Sequence, residues 1–249
     1  MLVTLSAAPG RSSSESFGGR RLEAMKILVI RFRQMGDAVL ATALLNSIRR
    51  SFPDAEIHFV LNSQLADLFA GHPSVDRVIS FTPEVRHSPL RYLWKILKLM
   101  ASERYDAVID MRSTPNCLPF SLFAPFARLR VGLRKGYTRF VMNRRIPVGD
   151  ASVDVVTHNL RFLEPLAVFG PVSPTRDFSL SVTPDELTNY SHYLQSEGID
   201  LARPILLCGV VSKLAHKSWP MDNMRKVMEA VVREFPQWQI VFNYAPGYE

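Results

Sequence analysis

From Lys26 onward, short apolar runs alternate with segments whose apolar residues recur at helical spacing. The runs KILVI, EIHFVL, DRVISF and DAVIDM are short and rich in branched residues, which is typical of buried strands. Helical spacing begins at Ala38 and continues to Ile48, residues 63–70 predict a short helix, and residues 90–104 and 154–169 predict longer ones. The alternation predicts an α/β domain with a parallel sheet covered by helices on both faces.

A segment with three prolines and few helix formers, GPVSPTRDFSLSVTPDE, follows this first unit. Beyond it the pattern predicts a helix over 185–197, the strand PILLCGVV, a helix over 221–235 and the strand WQIVFNY. We expect a disordered tail over 1–24, a first domain over 25–170, a linker over 171–184 and an incomplete second α/β domain over 185–249.

Positive charge is concentrated in one part of the chain. The 249 residues are 47% hydrophobic and 21% charged, with a net charge of +7. Between Met111 and Gly149 there is no acidic residue, and the basic residues there are Arg112, Arg128, Arg130, Arg134, Lys135, Arg139, Arg144 and Arg145. Such a stretch suits an acidic partner, whether nucleic acid, anionic lipid or acidic sugar, and a solvated face explains any single arginine equally well.

Several classes of protein and site are disfavoured by the residue pattern. Cys117 and Cys208 lie far apart in apolar surroundings, so they predict buried thiols of a cytoplasmic protein. The six histidines show no metal-ligand spacing, and no run of eighteen apolar residues occurs. The common glycine-rich phosphate loops and the G-x-S-x-G elbow are also missing.

The loop RFRQMGD after the first predicted strand is the first candidate site. Ligands of open parallel sheets bind at the carboxyl ends of the strands, so this loop is expected to face a cleft. Gly36, after Met35, permits close approach of the backbone, and Asp37 stands at the start of a helix, where the dipole favours an ionised carboxylate. Asp37 is therefore either a general base or simply the cap of its helix.

The second candidate site is the loop SKLAHKSWP, which begins at Ser212 and precedes a helix N-terminus. Its lysines and hydroxyls suit an anion, and Lys217 would neutralise a diphosphate leaving group. The alternative is a solvated basic loop in which Trp219 packs as a hydrophobic staple.

The segment MKILVIRFRQMGDAVLATALLNSIRRSFPDAEIHFV resembles the opening of the ADP-heptose:lipopolysaccharide heptosyltransferases, glycosyltransferase family nine. The resemblance continues through HPSVDRVISF, YDAVIDMR, RVGLRKGYTRF, THNLRFLEPLAVFG and the K-S-W-P of the second unit. It implies a GT-B fold of two Rossmann-like domains, with the first domain on the acceptor side. It also implies inverting transfer of heptose from ADP-heptose to the lipopolysaccharide inner core, with no metal or other cofactor.

The same resemblance assigns residues to the reaction. It implies that Asp37 is the base, and that Ser212, Lys217 and Glu249 contact the donor. The partners it implies are a nucleotide-sugar donor and an acidic lipopolysaccharide precursor, either Kdo-lipid A or a heptosylated core.

The resemblance implies a cytoplasmic location with peripheral contact at the inner face of the inner membrane, where the uncharged PFSLFAPFA is a candidate for interfacial contact and a buried loop or helix is its alternative. No nucleic-acid partner is expected, because the basic residues are not interleaved with a recognisable binding motif. The family's glycine-rich donor loop does not occur in this chain, so the alternative function is a C-terminally truncated, inactive chain that keeps only acceptor or partner binding.

Overall fold

The computed structural model describes residues 24–32, 34–149, 152–210 and 217–243. The chain divides into two compact units, with the boundary between Ser181 and Val182. The predicted tail, Ser212 and Glu249 lie outside the described residues, apart from Ala24 at the end of the tail.

The first unit contains a six-stranded parallel sheet in the order β3-β2-β1-β4-β5-β6. Its strands are β1 (Lys26–Ile30), β2 (Glu56–Asn62), β3 (Arg77–Phe81), β4 (Ala107–Asp110), β5 (Leu129–Leu133) and β6 (Arg144–Ile146). The strand order reverses between β1 and β4, which pair in register from Ile27 with Ala107 to Ile30 with Asp110. Ligand-binding crevices in such sheets form at this reversal, outside the carboxyl ends of the strands.

Helices cover both faces of the sheet. They are α1 (Met35–Ser51), α2 (Pro83–His87), α3 (Pro89–Glu103), α4 (Leu118–Leu122) and α5 (Val155–Leu160). In β1, Ile27 and Val29 belong to one apolar cluster while Leu28 and Ile30 belong to the other. Side chains of a strand alternate between faces, so an unbroken apolar run is what a sheet covered on both sides requires. The predicted α/β fold class is thus confirmed.

Three details of the first unit differ from the prediction. Strands β5 and β6 were not predicted, because charged residues interrupt their apolar pattern. The helix predicted over 154–169 ends at Leu160 and is followed by a 3-10 turn over Glu164–Val168. Pro165 accounts for this break, since proline lacks an N–H group and clashes with the preceding helical turn. Residues 63–70 form two 3-10 turns rather than one helix.

Part of the predicted linker is hydrogen-bonded along α1. The hydroxyl of Ser47, which is fully buried, accepts the N–H of Thr175 at 2.9 Å. The N–H of Ser173 donates to Ser51 Oγ at 2.8 Å, and that of Ser179 donates to Thr42 Oγ1 at 3.2 Å. The segment up to Ser181 therefore belongs to the first unit.

The second unit contains α6 (Pro184–Ser196), β7 (Ile205–Gly209), α7 (Met221–Glu234) and β8 (Gln239–Asn243). Thr183 and Glu186 form a capping box at the start of α6, with Pro184 as its first residue. Strands β7 and β8 pair in parallel, and the thiol of Cys208 lies 3.6 Å from the sulfur of Met228 on α7. This arrangement is the one that the sequence pattern predicts for the second unit.

Both cysteines are free and buried, as predicted. Within the described ranges, no helix has the combination of length and hydropathy that crossing a bilayer requires.

Candidate active site

Two arginines connect the ends of β1 and β4 at the point where the strand order reverses. Arg31 follows β1, is almost completely buried, and donates from Nη1 to the carbonyl oxygen of Met111 at 3.2 Å. Arg112 follows β4 and donates in the opposite direction, to the carbonyl oxygen of Phe32. The sheet's carboxyl edge is therefore cationic at its centre.

Asp37 stands beside this pair of arginines. Its Oδ1 lies 3.3 Å from Nη2 of Arg31, and its side chain is about one quarter exposed, at 26%. Helix α1 begins at Met35 and its N-cap is Gln34, so Asp37 is the third helical residue and not the cap. The alternative that Asp37 serves as the N-cap is thus wrong, since the helix starts two residues before it. Arg31 orients the carboxylate, and its access to solvent leaves it within reach of a substrate hydroxyl, the geometry that a base at a cleft requires.

A tight turn after β4 holds Arg112 and is contacted by a further cationic side chain, Lys135. Ser113 adopts a left-handed backbone conformation, with φ of 49°. Oδ1 of the fully buried Asp110 accepts the N–H groups of Arg112 at 3.0 Å and Ser113 at 2.7 Å. Lys135 Nζ then donates to the carbonyl oxygens of Arg112 and Ser113, at 3.1 and 2.9 Å. Burial raises the pKa of Asp110 to about 6, although the two backbone hydrogen bonds oppose this rise.

A cavity of about 400 Å³, which we call the central cavity, opens at this edge of the sheet. Its lining includes Arg31, Arg112, Lys135 and His158. Burial, together with Arg161 and Arg31, lowers the pKa of His158, so the imidazole is neutral at pH 7. Cationic groups around a neutral imidazole suit an anionic or hydroxyl-rich ligand such as an acidic sugar.

A second cavity, of about 610 Å³, lies at the carboxyl ends of β2 and β3. Its polar lining includes Asn62, Arg86 and Asn116. Arg86 donates to Oδ1 of Asn62 at 2.5 Å, and its guanidinium lies 4.9 Å from the centre of the Phe32 ring. A stacked and hydrogen-bonded arginine is pre-organised for planar anions such as carboxylates.

The basic stretch separates into residues with different contacts. Arg130 turns onto its own unit and donates to the carbonyl oxygens of Ala124 and Val141, each at 3.0 Å. Arg144 and Arg145 lie on the edge strand β6, where exposed charge discourages pairing with another chain. Within this stretch, Arg112 and Lys135 reach the central cavity.

A cluster of ligand-type side chains lies at the opposite edge of the sheet. It consists of Glu56, His58 and Glu103, whose ligand atoms are within 4.8 Å of one another. The ammonium group of Lys26 lies 3.3 Å from Glu56 Oε2 and 2.9 Å from Glu103 Oε2. The protein itself therefore supplies the cation that balances these carboxylates.

In the second unit, Lys217 is exposed and lies four residues before α7. The other two predicted donor contacts, Ser212 and Glu249, lie outside the described residues. The structure therefore describes Asp37, with Met35 and Gly36 exposed beside it at the start of α1, and Lys217.

Sequence reasoning did not single out Arg31, Lys135 or His158. Arg31 belongs to the loop that was singled out, Lys135 to the basic stretch, and His158 to the segment THNLRFLEPLAVFG of the resemblance. Each of these residues thus lies in a segment that the sequence analysis had already selected. That they meet at one site depends on the strand order, which brings residues about 80 and 100 positions apart to one edge of the sheet.

No family model matches the chain. Curated relatives include lipopolysaccharide heptosyltransferase 1 of Campylobacter coli, 20% identical over 225 residues, and lipopolysaccharide core heptosyltransferase OpsX of Haemophilus influenzae, 25% identical over 211 residues. These matches cover 88% and 82% of this chain, and 64% and 56% of the relatives. The chain thus spans less than two thirds of the length of these relatives.

Comparison with solved structures identifies proteins with a similar fold. A family 9 glycosyl transferase from Veillonella parvula superposes with a TM-score of 0.78 at 18% identity, over 91% of this chain and 64% of that one. The Escherichia coli ADP-heptose lipopolysaccharide heptosyltransferase II gives 0.63 at 19% identity, over 88% and 64% of the two chains.

The architecture is therefore that of a GT-B-type glycosyltransferase. More particularly, the chain has the fold of family 9 and is similar in sequence to lipopolysaccharide heptosyltransferases, so the resemblance predicted from the sequence is confirmed.

Proposed function

We propose that this chain acts in the transfer of heptose from ADP-heptose to a sugar hydroxyl of the lipopolysaccharide inner core, with inversion at the anomeric carbon. The observation that carries the proposal is the carboxylate of Asp37, held by Arg31 beside a cationic cavity at the reversal of strand order. Both curated relatives named above are heptosyltransferases, which favours this function over that of an inactive chain with acceptor binding alone.

Asp37 acts as the general base in this proposal. One carboxylate oxygen takes the proton of the acceptor hydroxyl while that hydroxyl oxygen forms a bond to the anomeric carbon of the heptose. The bond between that carbon and the diphosphate oxygen breaks, and ADP leaves with the electron pair. Arg31 keeps the carboxylate oriented through its contact with Oδ1, and its second contact, to Met111, fixes the guanidinium to β4.

Lys217 supplies positive charge to the ADP leaving group. The E. coli heptosyltransferase WaaC, whose structure superposes with a TM-score of 0.61, was solved with ADP-2-deoxy-2-fluoro heptose. The donor analogue bound in that structure supports a nucleotide-sugar donor for the present chain. Ser212 and Glu249 complete the proposed donor contacts, and the reaction is proposed to need no metal because Asp37 and Lys217 provide the base and the countercharge.

The central cavity receives the acidic acceptor. Arg112 donates to the carbonyl oxygen of Phe32, and Lys135 donates to those of Arg112 and Ser113, so both side chains are held with their positive charge at the cavity wall. Rigid cationic groups are suited to the carboxylates of a Kdo-bearing lipid. Such an acceptor places the reaction in the cytoplasm, at the inner face of the inner membrane.

The experiment is a transfer assay with ADP-heptose and Kdo-lipid A or its heptosylated form, followed by mass spectrometry of the product. The proposal expects a mass increase of one heptose, formation of one ADP per product, and an inverted anomeric linkage. UDP-glucose as an alternative donor provides the specificity control. Release of ADP without any glycosylated acceptor, or a retained anomeric configuration, contradicts the proposal.

A further inference from the structure

Helix α3 is apolar on a side that faces solvent as well as on the side that packs on the sheet. The inner side buries Tyr92, Ile96, Leu99 and Met100. The outer side exposes large apolar residues at i, i+3, i+4 and i+7, which form a continuous stripe: Leu90 at 83%, Leu93 at 42%, Trp94 at 67% and Leu97 at 40%. This outer stripe is not needed for the core of the unit.

The apolar surface continues onto the end of α4 and the segment after it. Leu122 is 60% exposed and Phe126 is 92% exposed, both within an uncharged ten-residue run, 118–127. Ala101 of α3 and Phe126 line one shallow cavity of about 300 Å³, so the two elements form one neighbouring surface. We refer to Leu90, Leu93, Trp94, Leu97, Leu122 and Phe126 as the outer apolar face.

The charges beside the outer apolar face are basic. Arg91 and Lys98 are exposed on α3, next to the stripe. Glu103, the single acidic residue of α3, is bound to Lys26 and Arg77 at the far end of the helix. A tryptophan-leucine stripe flanked by cations is complementary to lipid headgroups of negative charge.

We propose that the outer apolar face seats the first unit on an anionic phospholipid bilayer, with α3 lying in the plane of the headgroups. The proposal deepens the proposed function, on which its biological role rests. Leu93 and Pro89 of α3 also line the 610 Å³ cavity at the carboxyl ends of β2 and β3, so the outer apolar face reaches the edge of the sheet where the proposed site lies.

The test is flotation of the chain with vesicles of phosphatidylcholine alone or mixed with phosphatidylglycerol, without donor or acceptor. We expect binding to the mixed vesicles that weakens with salt, and weak binding to phosphatidylcholine. The double variant L90S/W94S should lower partitioning about tenfold or more, because it removes two large apolar side chains from the contact. L187S/Y190S on α6 is the matched control, with side chains 62% and 59% exposed, and it should bind as the parent does.

Fluorescence gives a second measurement at the surface itself. In the W219F/W238F background, Trp94 is the remaining tryptophan, and mixed vesicles should shift its emission to shorter wavelength. No shift and no flotation, or equal loss in both double variants, overturns the proposal. A dimer that L90S/W94S dissociates, with no vesicle binding, also overturns it because a second copy then covers the face.

These readouts separate the surface from the proposed activity. Vesicle binding without heptose transfer supports the surface and contradicts the proposed function. Transfer to a water-soluble acceptor analogue without vesicle binding does the reverse.

Discussion

The carboxyl group of Asp110 makes a sharp prediction for the turn that shapes the central cavity. Oδ1 is engaged by two backbone N–H groups, whereas Oδ2 is buried without a hydrogen-bond partner among the described residues. Burial raises the pKa of Asp110 from 3.8 to about 6. The native protein therefore keeps a proton between pH 4 and 6 that the unfolded chain releases, and stability falls as the pH rises through this window.

The size of the effect follows from the two pKa values. The difference between the two pKa values corresponds to about 3 kcal/mol in total. About 2 kcal/mol of this is lost between pH 4 and pH 7, because Asp110 is already more than half ionised in the unfolded chain at pH 4. Asp110→Asn keeps an oxygen acceptor for the two backbone N–H groups and cannot ionise. It adds an amide N–H where Oδ2 has no partner, at a cost of about 1–3 kcal/mol that does not depend on pH.

The assay is urea unfolding from pH 4 to pH 7 in the W219F/W238F background, where Trp94 reports on the first unit. We expect the parent to lose stability relative to Asp110→Asn as the pH rises, by about 2 kcal/mol from pH 4 to pH 7. Asp67→Asn, at an exposed carboxyl of the same unit, should follow the parent. Parallel pH profiles of the parent and Asp110→Asn would refute the reasoning, because they would show that Asp110 ionises equally in both states.

Two further predictions concern the proposed ligands. Lys217→Ala should weaken ADP binding, measured by calorimetry, by about 1.5–3 kcal/mol, the contribution of a charge-assisted hydrogen bond. Lys226→Ala on α7 is the control and should bind ADP as the parent does. Unchanged ADP affinity in Lys217→Ala would contradict the role assigned to Lys217. Lys135→Met should raise the KM for the acidic acceptor about tenfold or more without changing that for the donor. Arg134→Met should leave both constants as in the parent, and an equal rise of both constants in Lys135→Met would point to general damage at the turn.

The central strands were predictable because consecutive branched apolar residues are compatible with few environments other than a strand buried on both faces. The run KILVI has branched apolar residues at consecutive positions, and burial on both faces of a parallel sheet accommodates all of them. Strand β5 escaped prediction because Arg130 and Gly132 interrupt its pattern. The strand accommodates Arg130 because its guanidinium donates to the backbone carbonyls of Ala124 and Val141. A short window of sequence gives no sign of these contacts.

The candidate site was predictable in part. Asp37 could be selected because a polar loop follows a buried strand at the edge where such sheets bind ligands. The contact of Arg31 with Met111 joins residues 80 positions apart, and it depends on β4 lying beside β1. A sequence pattern predicts the strands but not which strands are neighbours. Arg112 and Lys135 could therefore be assigned to the cavity only once the strand order was known.

Asp37 as the base of heptose transfer is tested most directly by comparing the parent chain with Asp37→Asn in the transfer assay. The replacement keeps the size of the side chain and removes the ability to accept a proton. We expect acceptor-dependent ADP release by the parent, a decrease in kcat of about 10²-fold or more in Asp37→Asn, and unchanged affinities for ADP and acceptor. Turnover of Asp37→Asn within a few-fold of the parent would contradict the account and assign Asp37 a structural role at the start of α1.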